Sequence, residues 1–138
     1  MDERANENIK VMAANKYPRL NAPRRNKYNA KPTVYKGRKY DSKAEATYAK
    51  LLDKMQDKGI VHLWLRQISF DLGEDTRYRA DFFVIETNGD FYAVDVKGYE
   101  SSSWKRIRKL WAKYGIMPLH VVKNGRLYEI IERINDGT

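Results

Sequence analysis

The chain has 138 residues, no cysteine, 27 Lys and Arg against 18 Asp and Glu, and a formal net charge of +9. That length suits one small domain, and the missing cysteines exclude disulfides and thiolate metal sites. No apolar run approaches the roughly 20 residues of a membrane helix, and the basic excess calls for a polyanionic partner.

The charge is unevenly placed: residues 1–40 hold 11 basic against 3 acidic residues, residues 41–138 hold 16 against 15. Residues 1–32 contain Pro18, Pro23 and Pro32 and little periodicity, which predicts a largely disordered basic arm with at most a short helix over 4–14. Arg24, Arg25 and Lys27, with Tyr17 and Tyr28 nearby, read either as a solvated tail or as a strip that contacts nucleic-acid phosphates and bases. The N-terminus lacks the charged-then-apolar layout of a signal peptide, so the expected location is the cytoplasm. Residues 33–138 are expected to form the folded domain.

Residues 33–40 predict a short strand or hairpin leading into a helix. Asp41-Ser42 offers its cap, and Ser42 with Glu45 fits a capping box. Ala44, Tyr48, Leu51, Leu52 and Met55 recur at helical spacing, with Glu45 at the edge of their stripe and Gly59 as the stop. Residues 60–70 read as a strand, broken near Arg66-Gln67. Residues 71–76 form a polar turn, and two strands follow near 77–86 and 91–97. Ser102 or Ser103 would cap a helix over about 103–114, with Trp104, Ile107, Leu110, Trp111 and Tyr114 on one side. Its other side carries Lys105, Arg106, Lys109 and Lys113, a solvated face or a phosphate-binding one. Gly115 closes it. Strands over 119–123 and 126–131, joined at Asn124-Gly125, complete an α/β fold. Its mixed sheet comprises a three-strand antiparallel meander and a parallel strand reached by a right-handed crossover, with helices against it.

The central hairpin carries charge where a structural sheet prefers apolar residues: Asp81 in one strand, Asp95 and Lys97 in the next. Buried charge costs several kcal/mol unless paired or metal-bound, so two converging carboxylates imply a cation between them. A two-residue turn at Asn88-Gly89 would send Asp81 and Asp95 to opposite faces. A three-residue loop, Asn88-Gly89-Asp90, pairs Thr87 with Phe91 and Asp81 with Lys97, and puts all three charged residues on one face. A bulged loop of that kind is therefore predicted.

Carboxylates holding a hard divalent ion can activate water for phosphodiester hydrolysis. Asp81 and Asp95 are the expected ligands, with the Val96 carbonyl beside them, Glu45 completing the site from the helix and Lys97 orienting water or stabilising charge. Gln67 is a further candidate. Plainer roles compete: Glu45 as the partner of Ser42 in the cap, Asp81 paired with Arg77 or Arg79, Lys97 bridged to Asp95. His62 and His120 read as structural histidines.

The ordered set Glu45, Asp81 in Arg-Ala-Asp-Phe, and Asp95-Val-Lys97-Gly98 resembles the PD-(D/E)xK nuclease superfamily. The segments Tyr40–Ala46, Ala80–Phe82 and Val94–Gly98 look like a phage-encoded family within it. That family is similar to the endonuclease I type of Holliday-junction resolvase and, more distantly, to the nuclease subunit of heteromeric transposases. The resemblance covers about residues 33–131. It implies a restriction-endonuclease-like core, Mg²⁺- or Mn²⁺-dependent cleavage of branched DNA, and work in a bacterial host's cytoplasm. Glu45, Asp81, Asp95 and Lys97 take the acidic and lysine positions. Symmetric cutting of two strands implies a homodimer, for which Trp64, the strand over 60–70 and Tyr128 are the candidate contacts. A non-catalytic DNA-binding module, or a nuclease subunit that needs a partner, is the rival reading.

Overall fold

Five strands with apolar residues on both sides leave two faces to cover, and each is covered by one helix. The computed structural model describes residues 31–134. In chain order they form β1 (Thr33–Tyr35), β2 (Arg38–Tyr40), α1 (Lys43–Asp57), β3 (Val61–Asp71), β4 (Arg77–Glu86), β5 (Phe91–Val96), α2 (Ser102–Tyr114), β6 (Leu119–Lys123) and β7 (Arg126–Ile131). Strands β3 to β7 lie side by side in sequence order, antiparallel except for the parallel pair β5–β6, and β1–β2 is a separate hairpin. The predicted α/β class, meander and parallel crossover are all present. The basic arm with Arg24, Arg25 and Lys27 lies outside the described residues. No described helix is long and apolar enough to cross a membrane.

Helix α1 starts where the Ser42 hydroxyl accepts the Glu45 amide at 3.1 Å, one half of the predicted capping box. It buries Ala46, Tyr48, Ala49, Leu51, Leu52 and Met55 against Phe82, Val84, Tyr92 and Val94. Helix α2 starts one residue early, with Ser101 as its N-cap rather than Ser102 or Ser103. The Ser101 hydroxyl pairs with that of Ser103 and caps no amide. Trp104, Leu110 and Trp111 pack on Tyr78, Ala80, Ala93, Leu119 and Val121, on the opposite face of the sheet. Gly115 does end this helix, but for lack of room: an added Cβ would stand 2.6 Å from the Trp111 carbonyl oxygen.

The β4–β5 loop differs from expectation by one residue. Glu86 and Asp90 close it, so the loop is Thr87-Asn88-Gly89 and not Asn88-Gly89-Asp90. Thr87 cannot form a rung with Phe91 because its amide is bonded to the Ile60 carbonyl and its hydroxyl to that of Gly59. Gly89 supplies the positive φ of 97°. The ladder pairs Phe82 with Val94 and Ile85 with Phe91, and continuing it by one step sets Asp81 opposite Asp95, not Lys97. The shift is by an even number, so the two carboxylates still approach each other.

Strand β3 runs unbroken to Asp71, yet Gln67 within it has φ 53°, a left-handed conformation that is costly for any residue with a side chain. The β3–β4 register is constant on both sides of it, and the one rung omitted there is Gln67 with Asp81. Facing changes at the same place. Trp64, Phe82 and Val84 pack against α1, while Phe70, Tyr78 and Ala80 pack against α2, although all have even numbers. Both strands change step together at Gln67 and Asp81, so the register survives while the buried face swaps layers.

Candidate active site

The step at Asp81 decides what its side chain can reach. A regular strand would commit it to one face, whereas here the Asp81 carboxylate turns toward β5 and accepts the Val96 amide at 2.8 Å. A main-chain rung would otherwise have used that amide, so the carboxylate stands in for the β4 backbone where the ladder ends at Phe82–Val94. A strand residue's amide and carbonyl point to the same neighbour, so the Val96 carbonyl is directed into the same gap. From there Asp81 lies within hydrogen-bond reach of two other carboxyls, Glu45 from the α1 layer and Asp95 from the α2 layer.

Asp95 is buried and strongly held. Its Oδ2 accepts the Tyr78 hydroxyl at 2.5 Å and lies 2.8 Å from the Lys97 ammonium. The same ammonium sits 3.9 Å from the centre of the Trp104 ring, a cation–π contact in a desolvated setting. The anticipated Lys97–Asp95 bridge is therefore present. Asp81, by contrast, bonds to the Val96 amide, and Arg77 and Arg79 are exposed. The Glu45 carboxylate interacts with the Asp41 backbone as well as with Asp81, so it lies between the start of the helix and the site.

The electrostatics are those of a cluster short of positive charge. Burial, then the charge of Asp95 and that of Glu45, push the Asp81 carboxyl well above its ordinary range. Burial also raises Glu45, with Asp41 and Asp95 adding to it. Burial and the neighbouring carboxylate Asp95 raise the Tyr78 hydroxyl, which stays a proton donor. One ammonium faces three acids. Among the described residues no three Asp, Glu or His side chains surround a common point in coordinating geometry; the carboxyls form a chain with Asp81 in the middle. The donors are all oxygen, the kind that suits a hard divalent cation, and such a charge would relieve the repulsion within the chain.

The remaining sequence candidates fall elsewhere. Gln67 is the register partner of Asp81 and half-buried. Ser42 is the helix cap. On α2, Lys105 and Lys109 are exposed, whereas Arg106 donates to Thr76 Oγ1 and the Glu74 carbonyl, and Lys113 lies 3.9 Å from Glu74. Two of the four cations there thus tie the helix to the β3–β4 turn. Trp64 packs on Phe82 and donates to Asp53 at 3.1 Å, which makes it core, while Tyr128 is 62% exposed under Lys123. His120 is buried and stacked on Tyr92 at 3.8 Å, whereas His62 is exposed. Sequence reasoning missed Tyr78 and Trp104: an aromatic residue in an apolar strand or stripe reads as packing, which both also provide.

Residues 25–129 match a family described as "Protein of unknown function (DUF1064)". No curated protein and no solved structure matches the chain.

Proposed function

We propose that this chain, which belongs to the DUF1064 family, is a divalent-metal-dependent endodeoxyribonuclease with a restriction-endonuclease-like core. The supporting observation is the meeting of Glu45, Asp81 and Asp95 beside Lys97, at the point where the β4–β5 ladder opens. The resemblance to phage junction resolvases adds branched DNA as the preferred substrate and a homodimer as the working form.

In this reading Asp81, Asp95 and Glu45, with the Val96 carbonyl, hold Mg²⁺ or Mn²⁺. The ion would lower the pKa of a bound water and neutralise charge on the scissile phosphate. The rest of the chemistry belongs to the protein. Tyr78 fixes one oxygen of Asp95, which limits rotation of the carboxylate. Lys97 brings an ammonium next to the centre, where it can stabilise the negative charge that develops on the phosphate oxygens. Trp104 gives that ammonium an apolar wall that restrains it without removing its charge.

The test is cleavage of labelled four-way junction, flap, linear duplex and single-stranded DNA with Mg²⁺, Mn²⁺ or EDTA, alongside Asp81→Asn and Lys97→Ala. Metal-dependent paired nicks at the junction, lost in both variants, support the resolvase-like reading. Equal cutting of every substrate reduces it to a general nuclease. Binding without cutting under every metal replaces it with a DNA-binding module or a subunit that works with a partner.

A further inference from the structure

We infer that DNA docks on a basic surface formed by the β1–β2 hairpin and the free end of the β3–β4 ribbon, on the α1 side of the sheet. The inference rests on the nuclease reading and names the surface that would serve it. It does not coincide with α2 or with the N-terminal arm, the two places where the sequence points to phosphate contacts.

The step at Gln67 and Asp81 creates the ribbon. Strand β5 pairs with β4 only from Phe82 to Ile85, so residues 77–80 are paired with β3 alone. On this stretch Tyr78 and Ala80 face α2, with Tyr78 ring centres 6.3 Å from Trp104 and 5.9 Å from Trp111. Side chains alternate along a strand, so Arg77 and Arg79 project to the other side. Both are exposed, as are their cross-strand partners Asp71 and Ser69, so no described element covers that face. Asp71, the cross-strand partner of Arg77, offsets part of that charge, and its carboxylate accepts the Gly73 amide.

The same side of the sheet continues into the hairpin. Arg66, one residue before the step, lies over the Tyr40 ring at 3.9 Å and donates to the Lys39 carbonyl at 2.8 Å. That contact fastens the hairpin to β3. Arg38 and Lys39 are exposed on it, and Lys43 is exposed on the first turn of α1. Arg66 is the cross-strand partner of Phe82, the residue after Asp81, so the hairpin it holds lies next to the strand segment that carries the site. Five exposed cations (Arg38, Lys39, Lys43, Arg77, Arg79) thus lie on the hairpin, the start of α1 and the ribbon, with Arg66 between, against exposed Asp41 and Asp71 and, in the β3–β4 turn, Glu74 and Asp75.

A run of cations beside a carboxylate cluster fits a polyphosphate strand that crosses both. The carboxylates repel phosphate, and the neighbouring cations supply the attraction that brings a phosphodiester to them. On α2, Arg106 and Lys113 are tied to the β3–β4 turn, which leaves that helix a weaker claim.

The experiment is fluorescence anisotropy of a labelled DNA duplex with the full chain in EDTA, over a range of KCl. Metal and cleavage then play no part. The variants are Arg38→Ala/Lys39→Ala, Arg77→Ala/Arg79→Ala and the control Lys105→Ala/Lys109→Ala, each checked by circular dichroism and a thermal melt. Every lost phosphate contact should lower the slope of log K against log[salt] by about 0.9. Each of the first two variants should therefore lose about 1.8 in slope and on the order of tenfold in affinity near physiological salt, with the control close to wild type. A folded Arg77→Ala/Arg79→Ala chain that binds as tightly as wild type while the control weakens would overturn the surface and leave the nuclease reading standing. Absence of binding by the wild-type chain would overturn both.

Discussion

Removing one charge from the carboxylate chain should make the protein more stable and less able to bind metal. The Glu86–Asp90 pair is hydrogen-bonded, so continuing the ladder past Phe82–Val94 would set Asp81 opposite Asp95 in a non-hydrogen-bonded position, for which β carbons stand about 5 Å apart. Two unit charges at that spacing repel by about 3 kcal/mol at an effective dielectric of 20. Lys97 and Tyr78 on Asp95, and the Val96 amide on Asp81, offset part of this. In Asp81→Asn the amide oxygen can keep the Val96 bond while the charge is gone, for an expected gain of about 1–2 kcal/mol in EDTA at neutral pH. The pH dependence has a definite sign. Asp81 titrates higher folded than unfolded, so wild type loses stability as pH rises through the folded value, and the variant's advantage should vanish in acid. Metal reverses the order: an ion at 100 times its Kd adds about 2.7 kcal/mol to wild type and much less to the variant. At about 3–5 °C per kcal/mol for a domain of this size, thermal melts in EDTA and in Mg²⁺ resolve both effects. A variant no more stable than wild type in EDTA, or stabilised equally by Mg²⁺, would refute the argument.

Tyr78→Phe removes the hydroxyl that holds Asp95 and should weaken Mn²⁺ binding, read by calorimetry, by about 10-fold or more. Gln67→Val should cost about 1–2 kcal/mol in urea unfolding although valine favours strands, because a β-branched residue resists φ 53°. Gln67→Gly should fall within about 0.5 kcal/mol of wild type, strain relief offsetting the entropy it adds to the unfolded chain. Gly115→Ala should lose about 1–3 kcal/mol in the same assay, since the new methyl meets the Trp111 carbonyl oxygen. Burial pulls the His120 imidazole down to about 3. Between that value and its ordinary one only the unfolded chain takes up the proton, so the contribution of His120 to stability should drop by about 2 kcal/mol from pH 7 to pH 5, against the opposite contribution of Asp81. His120→Leu, compared by urea midpoints at the two pH values, should remove that drop.

The elements were legible because their signals are local. Apolar spacing gave both helices, Asn88-Gly89 and Asn124-Gly125 gave turns, and charged residues inside Phe- and Val-rich strands gave the carboxylates. Long-range contacts set what was misplaced. Thr87 leaves its expected rung because it bonds to Gly59 and Ile60, 28 and 27 positions away. Three consecutive serines could not disclose which one caps α2, and the one that does forms a hydroxyl pair instead of the usual bond to an amide. The suspected break near Arg66-Gln67 was located correctly but not in kind: glutamine carries no propensity for a left-handed φ, so the surrounding packing imposes it. Arg77 and Arg79 read as possible ion-pair partners of Asp81, whereas the step in the sheet leaves them exposed and gives the Asp81 carboxylate to the Val96 amide.

That step joins stability to function. If β3 and β4 kept their alternation through residues 67 and 81, the Asp81 side chain would lie on one face and meet either Glu45 or Asp95, not both. The β4–β5 ladder could then run on, with the Val96 amide and carbonyl held by backbone. Tyr78 and Ala80 would turn away from Trp104 and Trp111, and Arg77 and Arg79 would face α2 in their place. The strained Gln67, the missing rung, the gathered acids and the exposed arginines therefore have one geometric origin. A change that regularised the sheet would be expected to cost stability, by taking Tyr78 off Trp104 and Trp111 and turning two arginines onto α2, and to disperse the gathered acids and the exposed arginines together.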